Sequence, residues 1–524
     1  MYTPINVKGY KGSPVSATTL MGSKGENIRD LPQLLNPEFA QVIKNYLVTA
    51  EGRLEKRGGL SKIFEVAGTD PVTMLEKWTD DIYIFGYATT VSAYTKSTDT
   101  ITPIKTDFTA NLGFFGARYG SYFFVSNGIN GIWRIDDTLT EAHVVASPAV
   151  ATYLRVVGNR LYCAVNDSIY YSEVDDGSDP PFDGWTVDTT ATGAGIVSYR
   201  NGQTVRSIHA FGPDIFALAD DGKWAFRIDQ IDSSGTISKV DITTMYRVDS
   251  GGSRASESTT EGIFYVNESG LWQLVQIGSM DLPQSDQEAN VSILLGAEFF
   301  DGLDLSNADM VYDARRRIIL ITCAKDSSTN NYVIAYNVDH KSFVEFSGWT
   351  INRFMSDDGV VYGGSSTSTK VYELFQGFDD DGQLIGTEFR QELKLGDLFT
   401  RQFLKGCYVQ GYLSPSTEIS VRFDIYDVTG KPVNDKLRFL WTAQRSKLGE
   451  DGWGTAAWGT SGWGGDIDYS NLVESFDGCR PFIRNFQRVI LHITCSDKLP
   501  HAVNWVSLES QVKAPIRRRK MIKQ

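Results

Sequence analysis

The stretch Ile82-Tyr-Ile-Phe-Gly-Tyr-Ala-Thr-Thr-Val-Ser-Ala-Tyr-Thr95 is the first copy of a pattern that decides the fold. A short apolar run is followed by a turn and by a second run rich in β-branched and aromatic residues, which predicts a β hairpin. The pattern occurs seven times, with first runs beginning at Ile82, Tyr122, Leu161, Ile215, Ile263, Ile318 and Val360.

The spacing of these hairpins predicts a repeat architecture. Successive first runs begin 40, 39, 54, 48, 55 and 42 residues apart, close to the roughly 40–50 residues of a four-stranded propeller blade. The second runs are Val91–Thr95, Gly131–Ile135, Ser168–Ser172, Trp224–Ile228, Leu271–Ile277, Tyr332–Val338 and Lys370–Phe375. We therefore predict an all-β chain with a β-propeller over residues 76–382, seven blades being favoured over six. The alternative is a series of unrelated hairpins in a β-sandwich.

The hairpin turns and the need to bury both faces support the propeller over the alternative. Asn127-Gly128, Asp221-Gly222 and Glu268-Ser-Gly270 supply residues that tolerate a positive φ in tight turns. An isolated hairpin is marginally stable in water, whereas radial stacking buries both faces and leaves few open edges.

The two ends of the chain lack this hairpin repeat. After Phe378-Asp-Asp-Asp-Gly382, longer alternating strands such as Ile419–Tyr426 and Phe486–Ile493 predict a β-sandwich-like domain over residues 383–513. Residues 514–524 form a basic tail. We expect residues 1–75 to be an extended segment with a short helix near Asn36–Leu47, where apolar residues share one helical face.

Composition excludes several classes of protein. The 524 residues contain 50 Lys plus Arg against 64 Asp plus Glu, for a net charge of −14, so a whole-surface nucleic-acid binder is not expected. The five Cys are widely spaced without a CxxC pair, which argues against a disulfide framework and a zinc knuckle. Without an apolar signal region or a run of about 18 apolar residues, we expect synthesis in the cytosol without export and no membrane-spanning segment.

Motifs for catalysis are missing from the sequence. It has no P-loop, HExxH or GxSxG pattern, and its five His form no HxH or HxxxH pair. His492 is interpreted as a satisfied strand histidine. The carboxylate groups Asp175-Asp176, Asp220-Asp221, Asp357-Asp358 and Asp379–Asp381 each precede a Gly, so we interpret them as turns rather than as the paired acids of a glycosidase. No catalytic residue and no cofactor are predicted.

One acidic segment partly matches a calcium loop. Asp379, Asp381 and Gly382, followed by Glu388, fit its later positions, but the first ligand position falls on Gly377. Because a missing first carboxylate removes a ligand, we interpret the segment as a domain-boundary turn and predict no metal site.

Two C-terminal segments are candidate partner contacts. The loop at residues 452–465 carries Trp453, Trp458 and Trp463 between glycines, which suits a protein interface, a sugar-binding surface or packing of the loop on its own domain. The tail carries Arg517, Arg518, Arg519 and Lys520, which form either a solvated end or an arm that docks on an acidic neighbouring subunit.

The N-terminal motif Asn45-Tyr-Leu-Val-Thr-Ala-Glu-Gly-Arg-Leu-Glu-Lys-Arg-Gly-Gly59 resembles that of the tail hub, or nozzle, proteins of short-tailed bacteriophages. These are also called packaged-DNA stabilisation proteins. The order of later segments is similar as well, namely Arg155–Tyr162, Ile208–Leu218 and Met310–Leu320. The resemblance covers roughly residues 40–380.

The resemblance implies a structural virion protein and not an enzyme. Such proteins form a ring, usually a hexamer, below the portal and adaptor, and extend the DNA channel used in genome ejection. They help retain packaged DNA, which passes through the lumen without sequence-specific binding, and they dock tail fibres or spikes. The virion tail, assembled in the host cytoplasm, is then the expected location. A carbohydrate-binding or glycoside-hydrolase propeller is the alternative.

Overall fold

A computed structural model of the chain describes residues 15–20, 24–30, 38–49, 52–109, 113–144, 147–148, 150–174, 184–185, 193–198, 204–211, 214–219, 222–231, 237–246, 255–277, 285–394, 402–414, 417–426, 431–442, 473–479, 483–486 and 488–512. Two compact units emerge. The propeller unit comprises Ser61–Ile334 and Gly348–Leu374, and the sandwich unit comprises Met1–Leu60, Ala335–Ser347 and Phe375–Gln524.

The described residues are almost entirely β. Their elements are β1 (Val15–Leu20), β2 (Val42–Lys44), β3 (Tyr46–Val48), β4 (Leu54–Lys56), β5 (Leu60–Phe64), β6 (Val72–Lys77), β7 (Ile82–Tyr87), β8 (Thr90–Thr95), β9 (Thr100–Lys105), β10 (Phe115–Tyr119), β11 (Tyr122–Ser126), β12 (Ile132–Ile135), β13 (Glu141–His143), β14 (Thr152–Val157), β15 (Arg160–Val165), β16 (Ser168–Tyr171), β17 (Gly195–Ser198), β18 (Val205–Phe211), β19 (Asp214–Ala219), β20 (Gly222–Ile231), β21 (Ile237–Tyr246), β22 (Ser256–Thr259), β23 (Gly262–Asn267), β24 (Gly270–Ile277), β25 (Ser285–Asn290), α1 (Ala297–Asp301), β26 (Leu303–Asp313), β27 (Ile318–Lys325), β28 (Tyr332–Asn337), β29 (Ser342–Ser347), β30 (Ile351–Asp357), β31 (Val360–Ser365), β32 (Val371–Leu374), β33 (Thr387–Lys394), β34 (Gln402–Leu413), β35 (Glu418–Tyr426), β36 (Pro432–Thr442), β37 (Val473–Cys479), β38 (Ile483–Phe486), β39 (Arg488–Cys495) and β40 (His501–Val512).

The propeller unit contains seven blades. Blades one to five are the four-stranded antiparallel sheets β6–β9, β10–β13, β14–β17, β18–β21 and β22–β25. Blade six begins with β26, β27 and β28, and blade seven is formed by β30, β31, β32 and β5. The fourth strand of blade seven, β5, directly precedes blade one in the sequence. It therefore connects the last blade to the first.

The blades form a closed ring. The first strand of each blade contacts the first strand of the next, from β6 through β10, β14, β18, β22 and β26 to β30, and β30 contacts β6. Apolar clusters fill the spaces between successive blades, for example Met74, Ile84 and Phe123 between blades one and two. Each hairpin buries both faces against neighbouring blades. The ring therefore stabilises hairpins that would be only marginally stable in isolation.

The seven predicted hairpins are confirmed. Their first and second runs correspond to the second and third strands of the seven blades, beginning with β7 and β8 and ending with β31 and β32. Many of these strands are largely buried: all six residues of β23 are buried, as are the four central residues of both β7 and β8. Full burial explains why their apolar character was readable from the sequence.

The sandwich unit has two sheets, which confirms the predicted sandwich-like part. One has the strand order β3-β4-β40-β34-β37, with β1 added to β40 and β38 to β34; the other contains β29-β2-β33-β39-β35-β36. In β35 buried Ile419, Val421, Phe423 and Ile425 alternate with more exposed residues. Between the sheets, the Tyr46 hydroxyl lies 3.0 Å from His501 Nε2 and accepts a 3.1 Å hydrogen bond from Thr387.

The helix predicted near Asn36–Leu47 was wrong. The described part of that segment holds the strands β2 and β3, and Asn45 between them has a φ of 58°. This one left-handed residue lets the chain leave one sheet and join the other. The apolar spacing that mimicked a helical face arises because β2 and β3 bury alternate residues in different sheets.

The compact units also differ from the predicted boundaries. The propeller unit begins at Ser61 and ends at Leu374, not at residues 76 and 382, and Ala335–Ser347 belongs to the sandwich unit. The segment before Ser61 supplies strands to the sandwich. Strand pairing between distant segments, which leaves no local signal, determines these boundaries.

Ion pairs join blade seven to blade one at the closure of the ring. Asp357, at the end of β30, is 8% exposed. Its carboxylate accepts hydrogen bonds from Lys77 Nζ at 2.5 Å and from the Tyr83 hydroxyl at 2.7 Å, and Lys96 Nζ lies at 3.4 Å. Burial opposes ionisation of Asp357, but hydrogen bonds from Lys77 and Tyr83 and the two lysine charges outweigh it and hold its pKa below the usual 3.8.

We expect Asp357→Asn to destabilise the propeller unit by about 1–3 kcal/mol at neutral pH, because Lys77 and Tyr83 lose a charged acceptor. A carboxyl whose pKa is depressed on folding stabilises the protein above its unfolded pKa, and this stabilisation disappears as pH falls through the folded value. The loss measured by urea unfolding should therefore shrink below about pH 4. Asp80→Asn, which removes the 99%-exposed partner of Lys77, is the control; an equal loss in both variants would contradict the assignment.

Candidate functional site

Several predicted site residues lie outside the described residues. These are the candidate partner contacts Trp453, Trp458, Trp463, Arg517, Arg518, Arg519 and Lys520, and the carboxylate pairs Asp175-Asp176 and Asp220-Asp221. They remain predictions.

The described carboxylates occupy turns and also make ion pairs. Asp358 and Gly359 have φ angles of 49° and 75° and form the turn between β30 and β31, while Asp357 makes the closure contacts. Asp381 and Gly382 form a second turn with φ angles of 49° and 87°. These residues form turns, as predicted. The sequence did not predict that the Asp before each turn makes an ion pair.

The N-terminal motif builds a buried hub in the sandwich unit. The Arg57 guanidinium is fully buried and donates to both carboxylate oxygens of Asp380, at 2.8 and 2.7 Å. It also donates to Asn45 Oδ1 at 2.9 Å and to the Ser347 carbonyl at 2.9 Å. This bidentate pairing suits the planar fork of Arg and not the single charge of Lys.

Asn45 completes the hub. Its side-chain amide donates to the Ser347 hydroxyl at 3.0 Å and to the Gly386 carbonyl at 2.6 Å, and its Oδ1 accepts from the Ser347 backbone N–H at 3.0 Å. Three chain segments distant in sequence therefore meet on Asn45 and Arg57. We call the set Asn45, Arg57, Ser347 and Asp380 the motif hub.

The two glycines of the motif are required by close backbone approach. A Cβ on Gly58 would lie 2.4 Å from the Phe375 carbonyl oxygen, and one on Gly59 would lie 1.8 Å from the Asp379 carbonyl oxygen. The backbone N–H of Gly59 donates to the Gly377 carbonyl, and Gln376 donates back to Gly59. The Arg-Gly-Gly sequence thus lets the motif lie directly against residues 375–381.

The segment that resembled a calcium loop is held by protein partners. Asp380 binds Arg57, and Asp379 accepts from Lys498 Nζ at 3.1 Å and from the Gly382 N–H at 2.8 Å. Glu388 instead lies 3.7 Å from Lys44. Within the described ranges, no group of three or more His, Cys, Asp or Glu residues is arranged to hold a metal ion.

A second polar cluster lies on the innermost strands of the propeller unit. The axial cluster comprises Glu76 on blade one, Tyr153 and Arg155 on blade three, His209 on blade four, Glu257 on blade five and Asp309 on blade six. The pKa of Arg155 is raised by the Tyr153 phenol and then by Glu257 and Glu76, against the effect of burial. Blade three is adjacent to neither blade five nor blade one, so these groups act on one another across the ring.

His209 in this cluster is neutral and fully hydrogen bonded. Its Nδ1 lies 2.9 Å from the Ser258 hydroxyl and its Nε2 lies 2.8 Å from the Ser256 hydroxyl. Burial, helped by the charge of Arg155, lowers its pKa well below 6.5. His209 therefore ties blade four to blade five.

Glu257 is a titratable group of the cluster with a pKa near neutrality. Burial raises its pKa to about 7; the Arg155 charge opposes this rise and the Asp309 charge adds to it. Asp309 is itself oriented by the Phe354 backbone N–H, which donates to its Oδ2 at 2.8 Å. The arrangement can hold a proton at Glu257 near neutral pH, the property that a general acid needs.

Sequence reasoning missed the axial cluster. Its members lie on five different blades, and only closure of the ring brings them together. The one local signal is backbone strain, because Tyr153 has a φ of 44°, which is an outlier for a bulky residue. His492, by contrast, is the satisfied strand residue that was predicted, with Nε2 2.9 Å from Asp424.

Comparisons with known proteins give no family. No family model and no curated protein matches the chain. Similar solved structures include the computationally designed Ika8 protein, 10% identical over 60% of this chain and 99% of that one, with a TM-score of 0.39. The extracellular domain of BT4673 from B. thetaiotaomicron is 12% identical over 74% of this chain and 46% of that one, with a TM-score of 0.41.

A chain of a Mitotic Checkpoint Complex is 10% identical over 66% of this chain and 96% of that one, with a TM-score of 0.37. These scores are too low to carry an argument, and the fold rests on the strand pairing described above. Within the described ranges, no helix is both long and apolar enough to cross a membrane.

We expect Arg57→Met to destabilise the sandwich unit by about 3–5 kcal/mol, because Asp380 would be left buried without a counter-charge. Arg57→Lys should recover only part of this loss, since an ammonium cannot reach Asp380, Asn45 and the Ser347 carbonyl together. Urea unfolding monitored by circular dichroism measures both effects. Lys62→Met, which removes an exposed pair with Glu65, is the control, and a loss at Lys62 as large as at Arg57 would refute the hub.

Glu257→Gln should gain stability relative to the wild type as pH rises. A carboxyl whose pKa is raised on folding stabilises the protein below its unfolded pKa of about 4.3, and that contribution is lost as pH rises through about 7. The glutamine amide does not ionise, so the variant should be favoured above pH 7 by up to about 3 kcal/mol. Unfolding at pH 5 and pH 8 tests this against Glu268→Gln on the same blade; parallel profiles for all three proteins would contradict it.

Proposed function

We propose that this chain is a structural subunit of the tail hub, or nozzle, of a short-tailed bacteriophage. The observation that carries the proposal is the motif hub. Asn45, Arg57 and Gly59, which carry the resemblance in sequence, are the residues that make the buried contacts in the sandwich unit. A motif that serves packing rather than chemistry suits a protein whose work is to hold a shape.

The described side chains give further support for a role without catalysis. Asp357 and Asp380 are engaged in ion pairs, and the His209 and His501 rings are buried and bound to hydroxyl groups. We propose that the protein is not an enzyme and needs no cofactor.

The axis of a single propeller does not suit passage of DNA. Arg155 interacts electrostatically with Glu76 and Glu257 on blades that are not its neighbours. Double-stranded DNA, whose major groove alone is about 12 Å wide, does not suit an axis around which the first strands of successive blades contact one another. A DNA channel must then be formed between several copies, and we propose a closed homo-oligomeric ring, a hexamer being favoured, below the portal and adaptor.

The remaining parts of the proposal concern partners and place. A chain with a net charge of −14 repels DNA over most of its surface, so the duplex stays mobile and passes through the lumen without sequence-specific binding. We propose that Trp453, Trp458 and Trp463 contact fibres, spikes or a neighbouring subunit. In the same proposal Arg517, Arg518, Arg519 and Lys520 form the arm that docks on an acidic neighbour, and the protein is assembled in the host cytoplasm into the virion tail.

One observation favours a second candidate, a carbohydrate-active propeller. Glu257 lies on an innermost strand and has a pKa of about 7, the value expected of a general acid in a glycosidase. A panel of chromogenic glycosides and a glycan array test this candidate. Turnover or saturable binding that is lost in Glu257→Gln would favour it over the nozzle.

Purified protein mixed with its portal–adaptor particles tests the first proposal. We expect negative-stain images to show a ring added below the adaptor, and mass photometry to show the matching gain in mass. Trp458→Ala should weaken ring assembly or fibre docking and leave the thermal unfolding midpoint unchanged, because a loop contact and not the core would be lost. Trp349→Ala, which empties a fully buried core position, is the comparison for simple misfolding. Protein that does not bind the portal–adaptor particles would contradict the proposal.

A further inference from the structure

Two of the five cysteines lie directly opposite each other in the first sheet of the sandwich unit. Cys407 on β34 is paired with Cys479 on β37 in an antiparallel register. The register runs without a shift from this pair to Leu413 and Val473, so the pairing does not depend on a bulge. Because the two cysteines are far apart in the sequence, only the strand pairing brings them together.

Direct opposition places the two backbones at the distance that a disulfide requires. Residues that face each other across an antiparallel strand pair have Cα atoms about 4.5 or 5.5 Å apart and lie on one face of the sheet. A disulfide joins cysteines whose Cα atoms are about 4.4–6.8 Å apart. Both kinds of antiparallel pair fall within this range, so β34 and β37 can keep their register when the bond forms.

The remaining cysteines are placed differently. Cys163 lies opposite Tyr170 on the neighbouring strand of blade three. Cys495 lies opposite Thr387, and Cys323 belongs to the propeller unit. The strand register therefore singles out Cys407 and Cys479 as the two cysteines that a disulfide can join.

We propose that Cys407 and Cys479 form a redox site, in which oxidation joins their two thiols in a cross-strand disulfide. The oxidant is a low-molecular-weight disulfide. The Cys479 thiolate attacks one sulfur of the oxidant, which forms a mixed disulfide and releases one thiol. The Cys407 sulfur then attacks the Cys479 sulfur of the mixed disulfide and releases the second thiol. Two protein thiols are oxidised and one external disulfide is reduced, and the two released thiols take up the two protons that the protein loses.

The positions of the two strands set the order of these steps. Among the described strands, β37 lies at the edge of its sheet and pairs with β34 alone, and Cys479 is its last residue. Cys407 is completely buried, and Leu508 on β40 lies opposite it on the other side. Strand ends at a sheet edge open locally at a lower free energy than inner strands, so a reagent reaches Cys479 before Cys407.

The disulfide would fix both ends of a long excursion of the chain. After β34 the chain builds β35 and β36 in the second sheet and returns to the first sheet as β37. Closing so long a loop removes conformational freedom from the unfolded chain, and the bond also secures an edge strand. In reducing surroundings the pair remains two thiols. The stability of the sandwich unit therefore depends on the redox conditions.

Peptide mapping of the full-length protein tests the proposal. One sample is kept in dithiothreitol and another is incubated with oxidised glutathione; both are then alkylated in denaturant and digested without reduction. In the oxidised sample, mass spectrometry should show the peptide of Cys407 joined to the peptide of Cys479 with the loss of two hydrogen atoms, and the other three cysteines alkylated. The sandwich unit should unfold roughly 5–15 °C higher in the oxidised sample than in the reduced one.

Two variants and a control separate the bond from the cost of a substitution. In Cys407→Ala and Cys479→Ala the linked peptide should be missing, and the oxidised and reduced samples should unfold at the same temperature. Cys323→Ala, which removes a buried cysteine of the propeller unit, should keep both the linked peptide and the thermal shift. Because each variant is compared with itself in two redox states, stability lost through the substitution cancels.

Three results would overturn the proposal. The first is wild-type protein that yields no linked peptide after oxidation. The second is glutathione that stays attached to Cys479, because the second thiol then does not complete the exchange. The third is a disulfide between two chains through these cysteines, which would assign them to a contact between copies.

The redox site does not rest on the nozzle function, and the two can fail separately. Protein that forms the Cys407–Cys479 bond but does not bind the portal–adaptor particles would remove the nozzle function and leave the redox site. Protein that binds these particles but forms no bond would remove the redox site alone.

Discussion

A β hairpin cannot bury both of its faces by itself, and the propeller unit depends on how this constraint is met. Each blade covers its neighbour, and the series is stable only if the last blade also covers the first. β5, from the N-terminal side, completes blade seven, and Asp357 joins β30 to Lys77 and Tyr83 of blade one. The buried carboxylate is held ionised by partners that only the closed ring provides. Closure of the ring therefore depends both on strand pairing and on ion pairs.

The sandwich unit solves a different problem, that of joining distant parts of the chain. Asn45 and Arg57 bind Ser347, Gly386 and Asp380, which lie about 300 residues away or more in the sequence. A buried guanidinium is costly unless every donor is satisfied, and here carboxylate, amide and carbonyl acceptors satisfy it. The result is a buried polar contact assembled from three separate segments.

Charge is distributed in a way that overall composition conceals. The chain carries a net charge of −14, yet Arg155 lies on an innermost strand of the propeller unit, where the Tyr153 phenol, and then Glu257 and Glu76 of other blades, raise its pKa. Net charge describes the long-range field of the protein, whereas a local arrangement such as this one affects the ionisation of individual side chains.

The hairpins of the propeller and the alternation of the sandwich strands were determined by the sequence alone. Both are local patterns, in which fully buried middle strands are apolar throughout and half-buried strands alternate. The turns at Asp358-Gly359 and Asp381-Gly382 were equally readable, because a positive φ restricts the residue type. Only the tertiary structure decided that β2 and β3 are strands, that β5 closes the ring, and that Arg57 meets Asp380. It also decided the axial cluster, because ring closure brings its members together from five blades, and contacts between distant strands leave no trace in local sequence.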